Sequence, residues 1–480
     1  MKLSLLAAEL NITKGFEENE VTFLTDNSAK VCPGCIFVCI KGRKFDGHTK
    51  AAEALEKGAA AVVTERDMGL KNQLLVENAR NAYTRLCAAF FSHPEKKLKL
   101  IGITGTNGKT TTAFVIKSAM ENLGKKIGML GTVKNSVGDG IDRPASLTTP
   151  DPYDLFGLLA EMVKNNCEYC VMEVSSQALD QHRVDGIRYA VSVFTNLTRD
   201  HLDYHGSFEN YMTAKHKLFE NSDISVINID DEAGEYMMEN TGSKNVTFSV
   251  ENNYCDYSAK DIRISPAGVK YEIVSNDDIG RVSFNVPGRF SVYNSMGAVI
   301  CLLQLGFDLK SVLEAVATCS GVPGRMEIVP VEKPYTVIID YAHTPDGLEN
   351  VLTSLREITD GKIFAIFGCG GDRDKTKRPL MGEIGARLAD VAIITSDNPR
   401  SEDPDSIIDD VVAGIPKHHS SKIIVECDRT KAIAKALSSA GEGDVVLLAG
   451  KGHETYQILA SGKIDYDERN VIRKILGEVQ

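Results

Sequence analysis

From about residue 98 onward the chain alternates short apolar runs with amphipathic stretches, the pattern of strand, loop and helix in succession. "LKLIGIT", "EYCVMEVSS" and "YAVSVFTNL" are apolar runs of buried-strand length, each ending in polar residues. "TTTAFVIKSAMENLG" carries apolar residues at helical spacing and ends on Gly124. From about residue 325, "YTVIIDYAH", "KIFAIFGCGG", "DVAIITSDNPR", "KIIVECD" and "DVVLLAGKGHE" read as strands. "GLENVLTSLREI", "RPLMGEIGARLA" and "DSIIDDVVAGI" read as helices between them, a doubly wound order. Strands apolar on both faces belong to parallel sheets, and ligands sit at the C-terminal ends of such strands.

The first 95 residues mix shorter elements. "MKLSLLAAELNITKGFEENE" is an amphipathic helix with no cleavage site behind it, so it is not read as a signal peptide. "GCIFVCIKG" is a buried strand, and "KAAEALEKGAAAVVTE" a helix running into a strand. "SHPEKKLKL", with Pro94 and three lysines, reads as a linker.

Composition narrows the class. The 480 residues are 43% apolar and 25% charged, ordinary globular usage, and no window is an apolar span of membrane length. With a net charge of −12, a nucleic-acid footprint is not expected. Anionic ligands can still bind where lysines, arginines, helix ends or metal ions reverse the local field. Eleven cysteines without a framework fit a reducing cytoplasm, and Cys32 and Cys35 read as reduced thiols because no second pair follows.

"ITGTNGKTTT" supplies the first candidate chemistry. A strict P-loop needs glycine where Ile103 stands, but Gly105 to Thr110 keeps the working parts. Small residues permit close approach, Lys109 reaches phosphate, Thr110 offers a hydroxyl to Mg²⁺, and the helix N-terminus favours an anion. Glu173 ends an apolar run, and "NLTRDHLDYHG" puts Asp200, His201, Asp203 and His205 just after another. One or two carboxylates beside phosphate suffice for Mg²⁺. Taken alone, Lys215 reads as a solvated helix lysine and Arg400 in "SDNPRSEDP" as a surface turn residue. The fold expected is α/β in three domains: a small N-terminal α/β domain over 1–97, a central P-loop-type ATPase α/β domain over 98–323, and a C-terminal Rossmann-like doubly wound domain over 324–480.

"TGTNGKTTT", "LTTPD", "MEVSSQAL", "FTNLTRDHLDYHGSFENYMTAKHKLF", "PGRME", "DYAHTPDGLENVL", "FGCGGDRDKTKRPLMG", "DNPR" and "GKGHE" follow in order along the chain, and the series resembles the Mur ligases. The resemblance implies that Gly105, Thr106, Asn107, Gly108, Lys109, Thr110 and Thr111 cradle ATP, with Asn294, Arg325 and Asp340 on its adenine, phosphate and ribose side. It implies that Thr110, Glu173, His201 and Lys215 (as a carbamate) hold Mg²⁺, and that Lys109, Glu173, His201 and Lys215 are the catalytic set. Ser28, Thr148, Thr149, Ser175, Gln181 and Arg183 fall where the family binds UDP-N-acetylmuramoyl-dipeptide. Two departures stand out: Asn27-Ser28-Ala29 replaces Asp-Ser-Arg, and Ser291 replaces an asparagine. Arg373, Asp397, Asn398, Pro399, Arg400, Gly450 and Glu454 imply a pocket for meso-diaminopimelate, since a guanidinium pairs with its distal carboxylate.

The implied reaction is ATP-dependent amide formation through an acyl phosphate in peptidoglycan precursor synthesis, by a cytoplasmic monomer without nucleic-acid or membrane partners. L-lysine addition and folylpolyglutamate chemistry are the alternatives among ligases. Outside them stand a P-loop switch or kinase, and a non-catalytic nucleotide-binding scaffold.

Overall fold

The computed structural model describes residues 1–42, 45–198 and 202–477. These divide into two compact units, one of residues 1–258 with 296–315 and the other of residues 259–295 with 316–480.

The first unit opens with a four-stranded parallel sheet in the order β1 (Phe23–Thr25), β2 (Cys35–Val38), β3 (Ala61–Thr64) and β4 (Gln73–Leu75). The predicted N-terminal helix is present as Leu3–Glu9 and buries Leu3, Leu6 and Ala7. Where a linker was expected, the chain forms a short 3-10 turn, Pro94–Lys97, with Pro94 and Glu95 buried. His93 adopts φ 51 and turns the chain so that Pro94 packs inward while Lys96 and Lys97 face solvent. The polar composition therefore belongs to one face of a packed turn and does not mark a free connection.

A larger sheet follows, built from β5 (Lys99–Thr104), β6 (Ile127–Leu130), β7 (Lys134–Ser136), β8 (Asp142–Pro144), β9 (Tyr169–Glu173), β10 (Tyr189–Phe194), β11 (Ser222–Asn228) and β12 (Lys244–Ser249). Its order is β12-β11-β10-β5-β9-β6-β7-β8, parallel from β12 to β6 and antiparallel through β7 and β8. Every residue of β6 and β9 is buried, as strands covered on both faces require. β5 sits between β10 and β9, so the ends of these three strands lie side by side. The strand β13 (Tyr257–Ser265) then leads to an antiparallel hairpin, β14 (Gly268–Val274) and β15 (Ile279–Phe284), which alternation alone had not separated from the β/α pattern.

The second unit's main sheet has the order β16 (Glu327–Val329), β17 (Thr336–Asp340), β21 (Val445–Ala449), β18 (Ile363–Phe367), β19 (Val391–Ile394) and β20 (Ile423–Val425). All neighbours are parallel except β16 with β17. Its core includes Val337, Ile339, Ile366, Ile393, Val446 and Leu448, the apolar runs read from the sequence. Helices Pro345–Arg356 and Pro404–Val412 start where Thr344 and Asp403 cap them, each with proline at the first turn. A small hairpin, β22 (Tyr456–Leu459) with β23 (Gly462–Asp465), completes the strands. Among the described residues no helix is long and apolar enough to cross a membrane, and the cysteines form no disulfide.

Candidate active site

At the end of β5 the loop Gly105–Gly108 leads into helix Lys109–Asn122, with Gly108 at φ 83 as its N-cap. The loop is braced by the end of β10: Asn196 O accepts from Thr106 N at 2.8 Å, and Asn196 Oδ1 from Asn107 N at 2.9 Å. Thr195 Oγ1 donates to Asn107 O at 2.6 Å. Gly105 adopts φ 149, and a Cβ there would lie 1.9 Å from Thr195 Oγ1. Only glycine fits between the loop and this brace. Lys109 Nζ donates to Gly105 O and Thr106 O, both at 2.8 Å, which folds the ammonium over the loop.

Glu173 ends β9 and is 1% exposed. Its Oε2 accepts from Thr110 Oγ1 at 2.9 Å and Thr132 Oγ1 at 3.0 Å, and its Oε1 from Thr132 N at 2.8 Å. The carboxylate lies against the hydroxyl of Thr110 in the helix's first turn, two hard oxygen donors in one place. Lys215, on helix Phe208–Glu220, is buried; its Nζ donates to Gly105 O at 2.9 Å and lies 4.7 Å from the centre of the Tyr211 ring. The solvated-face reading of this lysine is thereby overturned: the helix turns it under the glycine loop. Asp200 and His201 lie outside the described residues, as does the side chain of Asp203. His205 is buried and pairs with Ser176 Oγ at 2.9 Å; among the described residues no group of three or more His, Cys, Asp or Glu side chains is set to hold a metal ion.

A cleft of about 260 Å³ is lined by Thr132, Thr148, Thr149, Ser175 and Arg183 among others. Thr149 Oγ1 donates to Glu173 O at 2.9 Å, Arg183 Nη1 to Thr149 O at 3.0 Å, and Arg183 Nη2 to Gln181 Oε1 at 2.8 Å. Thr149, Gln181 and Arg183 thus form one network that reaches the backbone carbonyl of Glu173. Thr148 Oγ1 joins it through Thr132 Oγ1 at 3.1 Å. Ser28 begins the short turn Ser28–Lys30 after Asp26. Burial pushes the Asp26 carboxyl up, Asp151 pushes the same way, and Arg80 and Arg183 oppose both.

The second unit gathers its candidates at strand C-terminal ends. Asp340 closes β17, where Met326 N donates to its Oδ2 at 2.7 Å and Ala342 N to its Oδ1 at 2.8 Å. Burial pushes this carboxyl up against those bonds and the nearby Arg325. The Arg325 guanidinium stacks 5.2 Å from the Tyr341 ring, and Asn294 is buried on helix Arg289–Gln304. Ser291 donates to Pro287 O at 2.9 Å inside that helix's first turn.

After β19, Asn398 Nδ2 donates to Glu454 Oε2 at 2.9 Å, and Asn398 Oδ1 accepts from Ile458 N at 2.9 Å. Arg400, at φ 54, donates from Nη1 to Gly371 O at 2.8 Å and to Asn398 O at 3.4 Å. Gly450, at φ 114, lies beside Asp397, whose Oδ2 would be 3.3 Å from a Cβ there. Pro399 O would meet a Cβ on Gly371 at 1.9 Å, so the two loops touch through backbone. Arg373 is exposed on the adjoining loop.

Three family models match successive parts of the chain: "Mur ligase family, catalytic domain" over 20–103, "Mur ligase middle domain" over 103–302, and "Mur ligase, glutamate ligase domain" over 324–452. A protein of Clostridium perfringens named UDP-N-acetylmuramoyl-L-alanyl-D-glutamate--2,6-diaminopimelate ligase is 44% identical, with 99% of both chains covered. The chain belongs to the Mur ligase family. A Geobacillus thermodenitrificans relative of the same name is 43% identical over 96% of this chain and 95% of its own. Among solved structures, one so named is 33% identical with a TM-score of 0.74, covering 95% of each chain. The MurF ligase of Thermotoga maritima in complex with ADP, at 21% identity and a TM-score of 0.58 over 95% and 97% of the chains, shares the fold.

Against this Mur ligase frame, the residues missed by sequence reasoning are those that brace the site. Thr132, Thr195 and Asn196 hold Glu173 and the glycine loop. Arg378, almost fully buried, joins Glu402 through Nη2 at 2.9 Å and Nη1 at 3.1 Å, which ties helix Lys377–Leu388 to the loop after Arg400. The Arg429–Glu468 pair is buried at 2.7 Å beneath Ser396 and Ala449. Arg378 and Lys451 stand inside quoted motifs, yet nothing in their spacing distinguishes a buried cation from a surface one.

Proposed function

We propose that this Mur ligase joins meso-2,6-diaminopimelate to the D-glutamate γ-carboxylate of UDP-N-acetylmuramoyl-L-alanyl-D-glutamate, using ATP, in cytoplasmic peptidoglycan precursor synthesis. The observation that carries the reading is the pairing of opposite charges around Asn398. Glu454 receives its Nδ2, and Arg400 reaches its carbonyl. A cation and an anion set this way suit an amino-acid centre bearing a carboxylate and an ammonium. Arg400 uses Nη1 on backbone carbonyls, so the Nε–Nη2 edge is the one that matches a carboxylate.

A carboxylate does not acylate an amine, because the leaving group would be oxide. In the proposed reaction the γ-carboxylate oxygen attacks the terminal phosphorus of ATP, the bond to ADP breaks, and an acyl phosphate forms. The amine of the diamino acid then attacks the acyl carbon, phosphate leaves with the C–O electron pair, and the nitrogen gives up a proton. Lys109 and the N-terminus of helix Lys109–Asn122 offset charge on the transferring phosphoryl group. Thr149, Ser175, Gln181 and Arg183 hold the acid beside Glu173. Ser28 serves the nucleotide end, Asn294 the ATP base, and Arg325 and Asp340 the ATP phosphates and ribose.

The donor set fits a hard divalent cation. Glu173 is buried, and among the described residues its oxygens meet only hydroxyls and a backbone N–H. Thr110, Glu173, His201 and a carbamylated Lys215 would hold Mg²⁺, which supplies charge neutralisation between carboxylate and phosphates when bound. A carbamate keeps one N–H on Nζ, enough for the bond to Gly105 O.

A phosphate-release assay tests the reading. Release should require ATP, the UDP-linked dipeptide and meso-diaminopimelate together, with L-lysine supporting far less. Equal turnover with lysine would overturn the choice of amino acid, and release without either co-substrate would overturn the ligase reading.

A further inference from the structure

Lys451 follows β21 and is completely buried, a costly place for an ammonium unless its partners are specific. Its Nζ donates to Tyr456 O at 2.8 Å and to Asn398 Oδ1 at 3.1 Å. Two carboxylates flank it, Asp397 Oδ1 at 3.3 Å and Glu454 Oε2 at 3.6 Å. Asp397 Oδ1 is buried and has no hydrogen bond besides this ion pair.

We propose that Lys451 is a positioning residue that selects a diamino acid with a distal carboxylate over one without it; the inference rests on the function proposed above. Two effects meet in it. Lysine is a donor only, as is the Ile458 N–H, so both force Asn398 to present its Oδ1 inward. Asn398 Nδ2 must then point to Glu454, which fixes that carboxylate's rotamer. The second effect is charge. Asp397 and Glu454 are two anions at the pocket wall, and Lys451 cancels one of them. One anion is left for the ligand's ammonium and Arg400 for its carboxylate. Without Lys451 the wall carries an excess of negative charge, which favours an acceptor whose distal centre has an ammonium and no carboxylate.

The test uses the full chain in the phosphate-release assay, with meso-diaminopimelate and L-lysine as alternative acceptors and Lys451→Met and Lys451→Gln as variants. Both should raise KM for diaminopimelate by roughly tenfold or more, the loss of one charged hydrogen bond. KM for ATP should stay within about twofold of the unmodified chain, since the glycine loop carries none of these contacts. The preference for diaminopimelate over lysine, as a ratio of kcat/KM values, should fall by a similar factor. A bolt that only stabilised the fold would lower Tm and move every KM alike, and that result overturns the proposal, as does an unchanged ratio. Lys451→Gln keeps a donor for Asn398 and so tests the charge effect if the methionine variant does not fold. If the unmodified chain uses no diaminopimelate at all, it is the proposed function that fails, before the variants are compared.

Discussion

Replacing Gly105 with alanine probes the glycine loop directly. The new Cβ would stand 1.9 Å from Thr195 Oγ1 and 3.0 Å from Asn196 O, where ordinary contacts begin near 3.4 Å. Thr195 can escape by rotating, but it then gives up its hydrogen bonds to Asn107 O at 2.6 Å and Thr104 O at 3.3 Å. Each is worth about 1 kcal/mol net. Holding alanine at φ 149 adds strain on the order of 1–3 kcal/mol. The sum, about 3–5 kcal/mol, falls on the segment proposed to hold ATP. If most of it appears as misplacement of the loop, the affinity for ATP drops by roughly a hundredfold or more. Titration of ATP into the purified variant, with a thermal melt alongside, separates this from global unfolding. The double variant Gly105→Ala with Thr195→Ala removes the closest clash and keeps the backbone strain. It should therefore be better than the sum of the single variants by about 1–2 kcal/mol. ATP affinity and Tm both unchanged in Gly105→Ala would refute the steric argument, and strict additivity would remove Thr195 from it.

Further outcomes are expected at three residues. Arg400→Ala should lower kcat/KM for meso-diaminopimelate by roughly 10- to 150-fold, the worth of a charged hydrogen-bonded pair, while KM for ATP holds; a matching fall for ATP would count against the pocket. Lys215→Ala should lose at least roughly a hundredfold in turnover, with partial recovery on adding formate as a detached carboxylate. Lys215→Arg can still donate to Gly105 O but cannot carry a carbamate, so full activity in that variant would exclude the modification. Glu402 is held down at about 2 from an ordinary 4.5, chiefly by Arg378 and then Lys375. A depressed carboxylate stabilises the fold above its unfolded value and loses that contribution as pH falls from about 4.5 towards 2. The Tm of Glu402→Gln should accordingly decline less than that of the unmodified chain across this window, and parallel curves would show that the pair adds nothing.

The legible part of the site came from local pattern. Glycines before a lysine and a threonine, set between an apolar run and a helical one, announce a phosphate loop whatever the surrounding fold. Arg400 and Lys215 were different. By themselves they read as surface cations, and only resemblance to a family gave them roles. The structure supplies a physical ground for reading both as more than that: a left-handed backbone at Arg400 turns its guanidinium onto Gly371 O, and the packing of helix Phe208–Glu220 carries Lys215 beneath Gly105. Pro94 went the other way, since a polar-looking linker proved to be a packed turn.

Sequence by itself determined the parallel strands, their helices and the glycine loop, because these depend on periodicity and on residues within a few positions of one another. Tertiary structure alone decided which partner each buried charge meets. Thr110 finds Glu173 across 63 positions, Lys451 finds Asn398 across 53, and Lys215 finds Gly105 across 110. Such pairs have no period and leave no local mark. They are set by which strand ends the sheet order places side by side, and by the penalty on any buried charge that arrives there without a partner.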